Sequence, residues 1–209
     1  MSLEAPAPRP ANAPGRLAWG AMFLLAALVS VYALLALFLP ALRSPIIRDR
    51  LLTMPLALGM HLAASAIALV AGALQHNRVI RDRHRPLHRT LGRVYVAAVT
   101  IGGAAALVLA TASVGGLVTH IAFALLGVLW MASTLIAFRH VRAGRIERHR
   151  AWMLRSYALT LAAVTLRIYL PLSLAAGLPY ESSYQAIAWL CWVPNLVVVE
   201  WVVLRPRHA

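Results

Sequence analysis

The sequence contains no lysine, only six acidic residues and a single cysteine. A lone cysteine cannot form an intramolecular disulfide, and it argues against a thiol-ligated metal site or a redox dithiol. Because Cys191 lies inside an apolar run, we interpret it as a small buried hydrophobic residue. The sequence also has no glycine-rich phosphate loop, no Ser-His-Asp arrangement and no pair of catalytic acids. Hydrolytic and nucleotide-dependent chemistry therefore have no support.

Charged residues make up only 12% of the chain, whereas hydrophobic residues make up 61%. That ratio lies far outside the range of soluble proteins and predicts an integral membrane protein. The formal net charge is +14, but the arginines that produce it are almost all confined to short segments between apolar runs. In that position they orient the chain against an anionic membrane face, so we expect no nucleic-acid partner.

Six apolar runs each approach the roughly 20 residues that an α-helix needs to cross a bilayer. They cover residues 17–40, 52–75, 93–113, 116–138, 153–176 and 184–204. The first run is too long for a signal-peptide core, so we expect it to be retained. We therefore predict an all-α membrane protein with one six-helix transmembrane domain over residues 17–204. Residues 1–16, rich in proline and alanine, are predicted to be a disordered tail, and residues 205–209 a C-terminal tail.

The arginines between the apolar runs fall mainly on one face of the predicted bundle. Sixteen lie in the N-terminal tail, the second loop, the fourth loop and the C-terminus, whereas three lie on the opposite face. Short loops with this asymmetry predict that both termini are cytoplasmic. We expect a multi-pass protein of the bacterial inner membrane whose basic loops contact anionic lipids of the inner leaflet.

A basic motif occurs twice, each time at the start of an apolar run. The two copies are His88, Arg89, Arg93, Tyr95 and His149, Arg150, Arg155, Tyr157. His61, in the second run, precedes His88 by 27 positions. His120, in the fourth run, precedes His149 by 29 positions. This spacing indicates an internal repeat, so we predict that spans two to five form a duplicated four-helix core.

Polar side chains are costly inside the membrane, so those in the middle of a span are candidate functional residues. They are His61, His120, Arg167, Asn195 and Glu200. At a rise of about 1.5 Å per residue, we expect His61 about 13 Å and His120 about 6 Å below the outer ends of their spans. Arg167 reaches the same outer half from the inner face. Three ionisable groups from helices two, four and five are thus predicted to converge on one layer.

The last span carries two features that predict local structure. Glu200, near the inner end, is expected to pair with Arg93 or Arg155, and a proton-relay role is the alternative. Pro194 and Asn195 are expected to kink the helix.

Two facing histidines with an arginine nearby match the requirements of a b-type haem. The imidazole nitrogens of His61 and His120 would be the two axial metal ligands, and Arg167 would offset a propionate. By the symmetry of the repeat, His88 and His149 would hold a second haem at the inner face. The alternative for the first set is a polar packing network whose small neighbours only let helices pack closely. The alternative for His88 and His149 is a solvated basic loop that binds anionic lipid.

The two basic segments also resemble those of a known family. RDRHRPLHRTLGRVYV, from Arg81 to Val96, and RHRAWMLRSYALTLAAVTLRIYLPL, from Arg148 to Leu172, resemble the bacterial multi-pass proteins of domain of unknown function 2306. The resemblance covers about residues 55 to 175 and implies an inner-membrane protein without an assigned activity.

The histidine pattern bears a looser resemblance to a second group of proteins. Histidines in spans two and four, with a further pair leading spans three and five, are similar to the di-haem transmembrane cytochrome b proteins related to ascorbate-reducible cytochromes and ferric reductases. In that group the second pair lies within spans three and five, whereas His88 and His149 lie at or before the start of theirs. The resemblance therefore implies the outer site, with His61 and His120, more directly than the inner one.

These observations lead to one principal hypothesis for function. A haem b held by His61 and His120 passes electrons between a membrane quinol and an acceptor at the other face, as in a membrane oxidoreductase or electron-transfer subunit. The alternative is a cofactor-free six-helix protein, either a small transporter or an assembly and interaction partner. A lipid-surface sensor that acts through the basic loops is a third interpretation.

Overall fold

A computed structural model describes residues 13–204, and this range contains helices and no β-strand. The α-helices are α1 (Ala13–Phe38), α2 (Pro45–Thr53), α3 (Pro55–Gln75), α4 (Arg78–Arg83), α5 (Arg85–Ala110), α6 (Gly116–Arg142), α7 (Ile146–Thr160), α8 (Ala162–Ala175), α9 (Tyr180–Leu190) and α10 (Val193–Val198). A 3₁₀ turn covers Pro40–Leu42, and a π-helical turn covers Val199–Val203. The predicted all-α class is confirmed. Residues 1–12 of the predicted N-terminal tail and the whole predicted C-terminal tail lie outside the described residues.

Six stretches of the described chain are long and apolar enough to cross a membrane. They are Gly15–Phe38, Pro55–Gln75, Arg85–Ala110, Gly116–Arg142, Ile146–Ala175 and Tyr180–Trp201. The fifth combines α7 with α8, and the sixth combines α9 with α10, because the helix is interrupted once in each. The predicted number and order of spans are confirmed. The first helix begins at Ala13, four residues before the start of the predicted first span.

Two short helices mark the two ends of the bundle. α2 connects α1 to α3 and begins at Pro45, and the side chain of Ser44 accepts a hydrogen bond from the Ile47 amide at 3.3 Å. α4 connects α3 to α5, and Asn77 caps its first turn in the same way. Such caps satisfy the amides that a helix start leaves free. We call the end with α2 the α2 end, and the end with α4 and the α6–α7 turn the basic end.

Small residues let the central helices approach closely. α3 packs along α5 and α6 packs along α7, so the core contains two antiparallel hairpins. Gly72 of α3 faces the rings of Tyr95 and Tyr157, and a Cβ at this position would overlap both. At Gly103 of α5, a Cβ would lie 2.5 Å from Met131 Cγ of α6. Close approach at small residues is the usual way that helices pack in membranes, and the duplication of the two hairpins stays a prediction.

A group of buried polar side chains joins α5, α6 and α7. The Tyr95 hydroxyl lies 2.7 Å from both Ser156 Oγ and Thr160 Oγ1. Trp130 Nε1 donates to Thr160 Oγ1 at 2.8 Å. Thr134 Oγ1 lies 2.6 Å from Ser156 Oγ. These five side chains, which we call the Tyr95 network, are all buried, and their mutual hydrogen bonds offset the cost of removing polar groups from water.

The last span is interrupted where the sequence predicts a kink. α9 and α10 are separated by a break just before Pro194. Asn195 Nδ2 donates to Cys191 O at 3.0 Å, across the break, and to Ala158 O of α7 at 3.1 Å. Cys191 itself is fully buried, as expected of a small hydrophobic residue.

An ion pair joins the last span to α7 at the basic end. Arg155 Nη2 donates to Glu200 Oε2 at 2.9 Å, and the guanidinium carbon lies 4.7 Å from the centroid of the Trp152 ring. Arg155 is one of the two partners that the sequence predicts for Glu200. The pair connects the π-helical turn to α7.

Candidate functional site in a cavity near the α2 end

A cavity of about 260 Å³ lies among α3, α5, α6, α7, α8 and α9, and α2 contributes Ile46 and Arg50 to its wall. Most of the wall is apolar and consists of leucine, alanine and aromatic side chains. Its polar members include Arg50, His61, Ser65, Ser113, Arg167 and Tyr184. An apolar cavity with a few polar groups is typical of a small-molecule site.

His61 is held in the cavity wall with one ring nitrogen in use and the other available. Its Nδ1 lies 3.0 Å from Gly102 O of α5. Because a carbonyl oxygen only accepts hydrogen bonds, Nδ1 carries the proton, and Nε2 keeps its lone pair. Gly102 has no side chain, so α5 comes close enough to α3 for this contact. A histidine that donates from one nitrogen to a carbonyl is arranged as metal-ligating histidines are.

Arg167 brings a positive charge to the same cavity. Its Nη1 donates to Ala163 O at 2.9 Å within its own helix, and its guanidinium carbon lies 5.7 Å from the centroid of the Tyr32 ring. Its Nε is buried without a hydrogen-bond partner. Among residues 13–204, all four ion pairs involve other arginines. Arg167 therefore has no described carboxylate beside it, and a buried charge in this state favours an anionic ligand.

His120 lies at the edge of the cavity and not in its wall. It is near the start of α6, one turn before Phe123, which does line the cavity. Its Nε2 donates to Ser113 O at 3.0 Å, in the connection between α5 and α6. The structure thus brings His61 and Arg167 to one cavity, and it leaves the ring of His120 bound to the neighbouring connection.

His88 and His149 both lie at the basic end, within electrostatic range of each other. His149 Nδ1 donates to Ala137 O of α6 at 2.9 Å, which leaves Nε2 available as in His61. His88 Nδ1 is buried without a hydrogen-bond partner. The structure therefore places both residues of the second predicted pair at the basic end, and their pairing stays a prediction.

Two further histidines stand beside that pair, and sequence reasoning missed both. His76 Nδ1 donates to Gly72 O at 2.8 Å, and its ring lies 4.8 Å from that of Tyr157. Burial lowers the pKa of His76, which lies just outside its span, so the imidazole is held neutral. His140 has a buried Nδ1 without a partner and lies within electrostatic range of His149. The available signal in the sequence was their position. Both lie where spans two and four meet the basic segments, and these segments also contain His88 and His149.

The described residues contain no cluster of three or more His, Cys, Asp or Glu side chains able to hold a metal ion. A haem iron needs only two axial protein ligands, because the macrocycle supplies the other four. Two imidazoles are therefore sufficient to hold a haem, and a cluster of three or more such side chains is not required.

Six apolar helices with polar side chains buried between them define a multi-pass membrane protein of the all-α class. The chain belongs to the family described as predicted membrane protein, domain of unknown function 2306, whose model matches residues 58–203. The matched range includes His61, His120 and Arg167, and it confirms the family expected from the two basic segments. Comparisons with curated proteins and with solved structures found no match for this chain.

Proposed function

We propose that this protein binds a b-type haem in the cavity and moves electrons between a membrane quinol and an acceptor at the other membrane face. The observation that carries the proposal is the presence of His61 and Arg167 in one apolar cavity. A porphyrin requires an apolar slot, an imidazole nitrogen for its iron and positive charge near its propionates. When bound, the haem supplies one-electron redox chemistry.

His61 would hold the haem iron through its imidazole. Its Nδ1 hydrogen bond to Gly102 O fixes the ring orientation and the tautomer, and Nε2 is left to meet the metal. Such a bond to a backbone carbonyl also raises the basicity of the ligating nitrogen. Arg167 is proposed to offset a propionate, since its buried Nε has no partner within the described chain.

His120 would be the other histidine that holds the haem iron. It belongs to the same face of α6 as Phe123 and Gly127, which line the cavity, because residues three, four and seven positions apart share a helix face. Ligation through Nε2 would replace the hydrogen bond to Ser113 O. A neutral hydrogen bond contributes about 1 kcal/mol, which is small beside a bond to iron.

His88 and His149 are proposed to hold a second haem at the basic end. Support comes from their common position at the basic end and from the Nδ1 bond of His149 to Ala137 O, which repeats the arrangement at His61. Arg81, Arg145 and Arg148 lie within electrostatic range of His88 or of the neighbouring His140, and they supply positive charge for propionates. Two such sites at opposite ends would let electrons cross the membrane.

The proposed orientation places the basic end and both termini in the cytoplasm of a bacterial cell, with the bundle in the inner membrane. The asymmetric distribution of arginine supports it. At the basic end, Val79, Leu87 and Ile146 are exposed among arginines. Apolar and basic side chains in alternation suit the headgroup region of an anionic leaflet, so these residues are proposed to contact inner-leaflet lipids.

The test is an absorption spectrum of the purified full chain. The protein is expressed with a haem supplement, purified in detergent and measured in the oxidised and the dithionite-reduced states, and a Soret band is expected. His61→Ala should abolish the band of the cavity haem. His84→Ala is the matched control, because His84 is exposed at the end of α4 and should leave the spectrum unchanged.

A cofactor-free membrane protein, either a small transporter or an assembly partner, is the second candidate. The observation that favours it is that the rings of His61, His76, His120 and His149 already bond to backbone carbonyls. In that case no Soret band appears, and His61→Ala changes only the thermal stability. That outcome would refute the haem proposal.

A further inference from the structure

We infer that Arg50 and Arg167 together bind the two carboxylate groups of one largely apolar dianion in the cavity. The inference rests on the proposed function, in which that dianion is a porphyrin, and it adds Arg50 to the single arginine that the sequence indicated. Three observations support it: the position of Arg50, the state of its charge, and the composition of the remaining wall.

Arg50 is held in the cavity wall by a contact across the bundle. Its Nη2 donates to Ala112 O, so the side chain reaches from α2 to the connection that follows α5. Ile46, one turn earlier on α2, lines the same cavity, and Ile47 beside it is buried. α2 is therefore docked in an orientation that keeps Arg50 in the wall.

The charge of Arg50 is only weakly neutralised on the protein side. Its described ion-pair partner is Asp49, at 3.1 Å, whose side chain is 58% exposed while that of Arg50 is 18% exposed. An ion pair with so exposed a carboxylate is screened by solvent and contributes little. Arg167 has no described carboxylate partner at all, so the cavity carries a net positive charge.

Arg50 and Arg167 line the same cavity. The wall of that cavity also includes His61 and Tyr184. A guanidinium group is planar and donates two parallel hydrogen bonds to a carboxylate, which makes arginine the preferred side chain for this task. The two guanidinium groups can thus bind two carboxylates of one molecule between His61 and the α2 end.

The apolar part of the cavity wall indicates what kind of dianion binds there. Leu58, Leu62, Leu109 and Phe123 belong to it, and they offer only apolar contact. A small inorganic anion would satisfy the arginines and leave these side chains uncovered, whereas a molecule with a large apolar body covers them. Two arginines beside an apolar wall therefore fit an amphiphilic dicarboxylate.

Metal-free protoporphyrin IX tests the inference separately from the haem proposal. It keeps both propionates and lacks iron, so its binding does not depend on histidine ligation. The full chain, expressed without a haem supplement, is titrated in detergent with protoporphyrin IX and with its dimethyl ester, and the quenching of tryptophan fluorescence gives the affinity. The ester has the same macrocycle without the negative charges.

The wild type should bind the diacid more tightly than the diester. Arg50→Gln and Arg167→Gln should each weaken binding of the diacid by roughly tenfold, since each removes a charge-assisted hydrogen bond, and should leave the diester unaffected. Arg48→Gln is the matched control, because Arg48 lies on α2 but is exposed. Arg50→Lys, which keeps the charge, should retain part of the affinity. Gel filtration and thermal melting identify any variant that fails to fold.

Two outcomes would overturn the inference. One is that Arg50→Gln binds the diacid as tightly as the wild type does. The other is that native mass spectrometry finds bound phosphatidylglycerol lost from the Arg50 and Arg167 variants while their affinity for the diacid is unchanged, which would assign the arginines to a lipid phosphate. His61→Ala should bind the diacid normally, because this binding needs no iron ligand. If the wild type binds the diacid but shows no haem Soret band after haem-supplemented expression, that result counts against the haem proposal and not against the two-arginine site.

Discussion

Replacing Thr160 with valine should be among the most damaging conservative changes in this bundle. Thr160 Oγ1 accepts a hydrogen bond from Trp130 Nε1 at 2.8 Å and lies 2.7 Å from the Tyr95 hydroxyl. Valine has nearly the same shape but no oxygen, so Trp130 loses its acceptor while Tyr95 keeps Ser156. A buried donor left without a partner costs about 1–3 kcal/mol. Adding the lost hydroxyl contact, worth about 0.6 kcal/mol in a membrane protein, gives an expected loss of about 1.6–3.6 kcal/mol.

Tyr95→Phe removes a hydroxyl from the same network and should cost less. Without it, Ser156 still has Thr134 as a partner, at 2.6 Å, and Thr160 still accepts from Trp130. No remaining polar group is left unpaired, so the loss is limited to the hydrogen bonds themselves, about 1 kcal/mol. Thr160→Val should therefore cost more unfolding free energy than Tyr95→Phe, although each substitution removes a single hydroxyl group.

The assay is unfolding of the purified protein by titration of SDS into mild detergent, followed by circular dichroism. Thr100→Val is the control, because Thr100 makes the usual bond to a carbonyl of its own helix, Val96 O at 2.9 Å, and is exposed on the bundle surface. It should change the free energy of unfolding by less than about 0.5 kcal/mol. If Thr160→Val costs no more than Thr100→Val, the Tyr95 network does not stabilise the bundle and the reasoning fails.

Three further predictions concern packing, charge and pH. Gly72→Ala places a Cβ against two aromatic rings and should cost about 1–3 kcal/mol of unfolding free energy in the same SDS titration. Gly59→Ala, with no neighbour within 4 Å, should be neutral or stabilising. Equal effects of the two substitutions would contradict the close packing at Gly72. Glu200→Gln should cost less than about 1 kcal/mol, because its ion pair is partly exposed, and a cost that persists in high salt would argue against simple charge pairing. Burial lowers the pKa of His76, so below about pH 6.5 the unfolded chain binds a proton that the folded chain does not, and stability decreases as the pH falls. Between about pH 7.5 and 5.5, His76→Gln should lose less stability than the exposed control His84→Gln, and identical losses would refute this assignment.

The six spans and their order could be predicted because length and apolarity are sufficient for that purpose. The start of the first helix was placed four residues late, since Ala13 and its neighbours resemble the proline-rich tail in composition. The break between α7 and α8 at Leu161 was missed, because no proline or glycine marks it. The break before Pro194 was expected, because that proline marks it.

The candidate site was only partly accessible to sequence reasoning. Depth along a helix follows from residue counting, and the structure does place His61 and Arg167 at one cavity. The direction in which a side chain points depends on the face of the helix, and a helix that is apolar all round gives no periodic signal for that face. This is why the position of His120 beside the α5–α6 connection could not be predicted.

Arg50 and the Tyr95 network were missed for different reasons. Arg50 was counted among loop arginines, although Ser44 followed by Pro45 is a helix-start signal that predicts a short ordered helix there. Tyr95, Ser156 and Thr160 are uncharged at neutral pH, so a search for charged residues and histidines passes over them. Their importance follows from burial, which only the folded structure reveals.

Gly72 has a consequence for how this family diverges. The tyrosines that close the two copies of the basic motif, Tyr95 and Tyr157, meet at this one glycine, although 62 positions of chain separate them. A relative that replaces the glycine by a larger residue must shorten at least one of the aromatic side chains to keep the helices in contact. Positions 72, 95 and 157 should therefore covary among members of the family. A substitution at one of these three positions, distant in sequence, should be accompanied by a compensating substitution at another.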